Sequence, residues 1–146
     1  MYKKTEYLCV MLFGAALYGI IEVMWRGYTH PSMVVTGGVC FLLIHLINCS
    51  LPREKRIIKY LLCSASVTGV EFAVGVVVNI MLGLGVWDYS GEPFNILGQV
   101  CLKFTLAWLV LSVPACYLSD MARAFFQFLE KKEQGDSTNS EKMAKL

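Results

Sequence analysis

Apolar residues run along this chain in four long blocks, and charge interrupts them only near their edges. The blocks cover about Tyr7–Trp25, Met33–Cys49, Ile57–Val86 and Ile96–Tyr117. A helix needs about 20 predominantly apolar residues to cross a bilayer, and each block supplies a span of that order. The third is long enough that it must tilt, bend at its glycines or end outside the lipid. The pattern predicts an all-α integral membrane protein with four transmembrane helices within residues 1–118. Lys3-Lys4 followed by an apolar run also resembles a signal peptide. That run continues into Glu22, Trp25 and Arg26 without a small-residue cleavage site, so a retained first helix is expected.

Beyond the fourth block the pattern changes. SDMARAFFQFLEKK is expected to carry the helix into the cytoplasm over 119–133, with Phe125, Phe126 and Phe128 near the membrane surface. Residues 134–146 turn to Gly, Ser, Thr, Asn and charge, the composition of a disordered tail.

Composition agrees with the blocks: 56% of the 146 residues are hydrophobic and 16% charged, too little polar surface for a soluble domain of this length. Charge adds orientation. Lys3 and Lys4 precede the first block; Arg53, Lys55, Arg56 and Lys59 join the second to the third; Arg123, Lys131, Lys132, Lys142 and Lys145 follow the fourth. The remaining loops hold Arg26 in one, and Asp88 with Glu92 in the other. By the positive-inside rule both termini are cytoplasmic. Cys9, Cys40, Cys49, Cys63, Cys101 and Cys116 lie in or beside the apolar blocks with no CxxC pair or zinc-like spacing, and read as small apolar residues rather than a disulfide framework.

A faint repeat is visible. Gly37-Gly38-Val39-Cys40 and Gly98-Gln99-Val100-Cys101 each follow a tryptophan-bearing loop, and each preceding helix holds a glutamate, Glu22 or Glu71. Two parallel helical hairpins would give this pattern, as would chance among apolar helices.

Ionisable groups inside a bilayer are costly, which makes them functional-site hypotheses by default. Glu22, Glu71, Lys103 and His45 qualify. Spacing groups them into stripes: Gly14, Tyr18, Glu22 and Arg26; Ser64, Thr68, Glu71, Gly75 and Asn79; Asn95, Gln99, Lys103 and Ala107. Steps of three and four mark one helix face, and three such faces hide best by facing inward together. At about 1.5 Å per residue, Glu22, Asn79 and Lys103 fall at similar depths and form a candidate outer cluster, with Arg26 as a second partner for Glu22. The nearest ionisable group to Glu71 by depth is His45. A satisfied packing network and a polar cavity for a solute or ion both fit these residues.

The outer loops carry two compact strings: Glu22-Val-Met-Trp25-Arg26-Gly27-Tyr28-Thr29-His30, and Val86-Trp87-Asp88-Tyr89-Ser90 continuing through Pro93, Asn95, Gly98 and Gln99. They resemble the small bacterial membrane family of type IV ABC-transporter permeases, the CmpB-like family, with its E-x-x-W-R-G-x-T-H-x-S-M and V-W-D-Y-S-x-x-P-x-N-x-x-G-Q patterns. Pro31 departs from the aromatic expected there. The resemblance covers residues 22–99 and implies a multi-pass protein of the bacterial plasma membrane with a transport-like role, the lipid bilayer around it, and a second copy or membrane or ATPase subunits as partners. The chain carries no Gly-rich phosphate loop, and its one cytoplasmic loop, Ser50–Lys59, is short.

The candidate solute- or ion-binding residues are Glu22, Arg26, His30, Glu71, Asn79, Asp88, Gln99 and Lys103. In the loops, Arg26 and Asp88 could pair across, or the Asp88 segment could be a simple turn. Trp25, Trp87, Tyr28 and Tyr89 read as interface anchors. Acid–base groups are present, but no nucleophile with an adjacent base and no metal-binding spacing. The expectation is therefore no enzyme, no catalytic set, no cofactor and no nucleic-acid partner. A non-transporting subunit of a larger complex is the alternative.

Overall fold

The computed structural model describes residues 2–51 and 55–144, and the side chains of 3–51 and 55–135. Arg53 and Lys145 of the cation count lie outside the described residues, as does the side chain of Lys142. The chain forms α1 (Tyr2–Arg26), α2 (Pro31–Ser50), α3 (Arg56–Gly75) with a π-helical turn at Val76–Met81, and α4 (Leu102–Ala144). All four helices are long and apolar enough to cross a membrane. The 27–30 and 82–101 connections share one end of the bundle, termed the cap end. The opposite, tail end carries the start of α1, the end of α2 and the start of α3.

Local chemistry explains the boundaries. Pro31 opens α2, where its missing N–H costs nothing, and His30 caps it: the imidazole Nδ1 accepts from Ser32 N at 3.3 Å. The third helix was expected to reach Val86 and the fourth to begin at Ile96. Instead the chain leaves helical geometry at Leu82, and α4 starts at Leu102. Gly83 and Gly85 take positive φ, 65° and 55°, which ends a right-handed helix. The apolar residues that lengthened the predicted spans, Val86, Val100 and Cys101, are buried in the cap. Hydropathy alone cannot separate a buried loop from a membrane helix. α4 is continuous past Ser119, and its backbone stays helical to Ala144, through a stretch whose composition led us to expect disorder.

α2 is the axle. It packs on α1, α3 and α4, and α3 packs on α4. Glycines let α1 approach: a Cβ on Gly14 would strike Phe41, one on Gly37 would strike Tyr18, and one on Gly38 would lie 2.7 Å from the Met11 carbonyl oxygen. Small residues at such crossings are how membrane helices gain close packing. Cys40, Ile44, Cys63, Val67 and Cys116 form one core where α2, α3 and α4 meet. Met33, Val78, Val86 and Trp87 form a second beneath the cap. All six cysteines are free thiols, and four are buried.

The crossing makes a stability prediction. Gly38→Val should destabilise by about 1–3 kcal/mol, because the backbone carbonyl of Met11 blocks relief. Gly69→Ala meets nothing within 4 Å and should be neutral or stabilise by up to about 1 kcal/mol. Thermal unfolding of the two purified variants in detergent would check this; equal midpoints would refute the close crossing.

Candidate functional site

The polar side chains gather at three levels. At the cap, Glu22 accepts from Arg26 Nη2 and from Thr29 Oγ1, so the carboxylate is held by its own helix and the turn after it. Arg26 Nη1 donates to the Val86 carbonyl at 3.1 Å, which ties α1 to the 82–101 connection. Its guanidinium also lies over the Tyr28 ring, 5.1 Å from the centroid. Asn79, on the π-helical turn, accepts from Val86 N at 2.7 Å and donates to Gln99 Oε1 at 2.8 Å. Gln99 Nε2 donates to the Leu97 carbonyl at 2.9 Å, and the Gln99 carbonyl accepts from Trp87 Nε1 at 2.9 Å.

Trp87 is therefore a buried plug, 7% exposed, and not the interface anchor expected of it. Gly75 makes room: a Cβ there would lie 2.6 Å from Gln99 Oε1 and 3.0 Å from Trp87 Cζ2. Trp25, in contrast, is exposed, and Tyr89 is half-buried and stacked on Phe104 at 4.5 Å.

Three sequence expectations fail at the cap. Arg26 and Asp88 do not pair; Asp88 turns back to accept from Ser90 N and Ser90 Oγ at 2.8 and 2.9 Å. Lys103 does not join Glu22 and Asn79. It reaches outward to Glu92 at 2.8 Å, with its side chain 63% exposed. Asn95, Gln99 and Lys103 cannot form one helix face, because residues before Leu102 are not helical. The other two stripes hold. Tyr18, Glu22 and Arg26 face α2 and the cap. On α3, Ser64 donates to the Thr105 carbonyl, Thr68 to Thr105 Oγ1, and Gly75 and Asn79 meet Gln99.

At the middle level stands Glu71, 5% exposed. Depth suggested His45 as its partner; the structure gives it Trp108, whose Nε1 donates to Glu71 Oε2 at 2.7 Å. Because α3 unwinds after Met81, Glu71 is nearer the cap end than a helix reaching Val86 would place it. Trp108 in turn stacks on Tyr18, with centroids 6.0 Å apart and planes 18° from parallel. Among the described residues no cation pairs with Glu71.

The tail level was largely missed from sequence. Lys59, read as a loop cation, is 6% exposed and donates to Asn48 O and Asn48 Oδ1, both at 3.1 Å. Asn48 Nδ2 lies within reach of Asp120 Oδ1, Ser119 Oγ and the Cys116 carbonyl at 2.9, 3.1 and 3.2 Å. His45 Nδ1 is 2.9 Å from Ser119 Oγ, and Nε2 is 3.2 Å from Glu6 Oε1. A Ser119 hydroxyl that accepts from Asn48 and donates to Nδ1 leaves Nε2–H to bond Glu6. The available signal was the spacing of His45 with Asn48 and of Ser112 with Ser119, one face on each helix.

A family model described as "Putative ABC-transporter type IV" matches residues 16–135, from mid α1 well into α4. The chain belongs to that family. No solved structure matches it. Both strings that carried the family resemblance map onto the cap: the first forms the Glu22–Arg26–Thr29 knot and the His30 cap of α2, the second the Trp87–Gln99 plug. For this type IV ABC-transporter family member, much of the signature thus coincides with the machinery that closes one end of the bundle.

Asn48→Ala would strip Lys59 of one acceptor and leave a buried ammonium short of partners. Hydrogen bonds to charged groups contribute about 1.5–3 kcal/mol, so unfolding midpoints should fall correspondingly. Lys103→Ala, at an exposed pair, should leave the midpoint unchanged. Equal shifts for the two would show that the tail network is not what holds the helices.

Proposed function

We propose that this protein is a permease-like transport subunit that binds a small solute or ion at the Glu71 level, without altering it chemically. The supporting observation is the Glu71 carboxylate itself: it is buried in a membrane bundle and held by one neutral indole donor, with no cation paired to it among the described residues. Membrane proteins keep such a group where it serves a pathway or a ligand. Family membership supports transport in general terms. Of the eight candidates, Glu22, Arg26, His30, Asn79, Asp88 and Gln99 are engaged in building the cap and hold the site from above. Lys103 sits on the outside with Glu92, so Glu71 is the residue on which ligand binding centres.

The charge pattern supports a plasma-membrane protein with both termini on the cytoplasmic side. A bundle of four helices leaves little room for a private path, which favours assembly with a second copy or with partner subunits. The satisfied cap and tail networks also fit a subunit that transports nothing itself, and reconstitution separates the two readings. In liposomes loaded with a panel of small ions and solutes, the wild type should give flux above empty vesicles. Glu71→Gln should reduce it by roughly tenfold or more, the effect of losing one charged-group contact of about 1.5 kcal/mol or above. Lys103→Ala should behave as wild type. Wild-type flux equal to that of empty vesicles, with the protein co-purifying in a larger complex, would identify the non-transporting subunit instead.

A further inference from the structure

A crevice of about 200 Å³ runs between α1 and α4, floored by α2, and is open along one side. Gly14, Tyr18, Cys40, Phe41, Trp108 and Leu111 are among its walls, and the lining is almost wholly apolar. Ile21 and Leu111 on its rim are exposed, so its mouth lies among the side chains that face lipid. A ligand can therefore arrive sideways from the bilayer, and it must carry an apolar body.

The head of the crevice asks for something more specific. Tyr18 and Trp108 line it and stack on each other. Behind them, Trp108 Nε1 is bonded to Glu71 Oε2, while Oε1 has no donor among the described residues. Aromatic faces attract cations, quaternary ammonium groups above all, and the attraction grows when water is excluded. A carboxylate accepting the indole N–H pushes electron density into that ring and adds its own charge at close range. The nearby Ser112 hydroxyl is already spent on the Trp108 carbonyl at 2.7 Å. The polar end of the crevice thus offers negative charge behind two π-faces, with the neutral Tyr18 hydroxyl beside them, which suits a cation better than an anion.

The geometry points to a lipophilic cation, such as an alkyl quaternary ammonium, as the ligand class of this crevice: its chain between α1 and α4, its charge at Tyr18, Trp108 and Glu71. This rests on the Glu71 site proposed above and names what that site takes.

Octyltrimethylammonium and octanesulfonate share a chain and differ in the sign of the head. With the protein in nanodiscs, and empty nanodiscs subtracted, equilibrium dialysis and calorimetry should show saturable binding of the ammonium only. Glu71→Gln should weaken it by roughly tenfold or more. Ala115→Leu, which fills the crevice and spares the carboxylate, should weaken it as well, at unchanged thermal stability. Sulfonate binding as tight as ammonium, or ammonium binding indifferent to both substitutions, would overturn the assignment. Glu71-dependent flux of some other solute, with no ammonium binding, would sink this inference and leave the transport reading standing. Ammonium binding without any flux would do the reverse.

Discussion

Three of the four helices are joined by a single side-chain amide. In a bilayer, an apolar helix face gains almost nothing by leaving lipid for another apolar face, so hydrophobic contact cannot by itself choose where helices of this composition stand. Asn48 supplies what is missing. Its carbonyl groups hold Lys59 on α3, and its amide nitrogen reaches Ser119, Asp120 and the Cys116 carbonyl on α4. His45, one turn away on the same face of α2, extends the set to Glu6 on α1. With the tail end fixed, the glycine crossings of α1 and α2 set the spacing higher up, and the crevice follows as the space that α1 and α4 leave on either side of α2.

How much of this could be read from the sequence depended on whether a segment was regular. The stripes on α1 and α3 were legible because both segments are helical over the residues concerned, and a period of three and four has meaning there. The α4 stripe failed for the same reason in reverse: Asn95 and Gln99 sit in irregular backbone, so counting fours from them to Lys103 described no surface. The third helix was drawn too long because the residues up to Val86 are as apolar as lipid-facing ones, yet Val86 is buried in the cap beside the Trp87 plug. Glu71 was found by its cost, but its partner was not, since Trp108 carries no charge and a depth argument ranks only ionisable groups. Lys59 was counted only as a loop cation because position beside a loop says nothing of the direction its side chain takes.

The cap shows why a family signature need not spell out a binding site. Phe94 and Leu97 adopt left-handed backbone, with φ of 55° and 52°, which costs about 1–3 kcal/mol for each such residue. That strain persists only where neighbours over-determine the path. Here Asn95 bonds the Ser90 and Glu92 carbonyls and the Gly98 N–H, Tyr89 N meets the Gly98 carbonyl, and Trp87 holds Gln99. Each of these residues is chosen by a turn or a plug contact, so substitutions would be resisted even if nothing ever bound the loop. The resemblance strings are therefore specific about shape first.

That division sharpens the meaning of the middle level. At the cap and the tail, each acid or amide meets donors from its own chain, and charge is answered by charge or by several neutral dipoles. Among the described residues, Glu71 alone of the candidate acids has a single neutral donor as its hydrogen-bond partner. The partner is placed with consequence, since Trp108 touches Glu71 on α3 through its Nε1 and Tyr18 on α1 through its face. Any change in what Glu71 holds alters the charge felt by that ring and hence its stacking on α1. α1 and α4 are joined to each other by few contacts besides this one, while both are firmly seated on α2. A ligand at Glu71 would thus act on a sparsely packed seam of the bundle, between two helices that are both held mainly by α2.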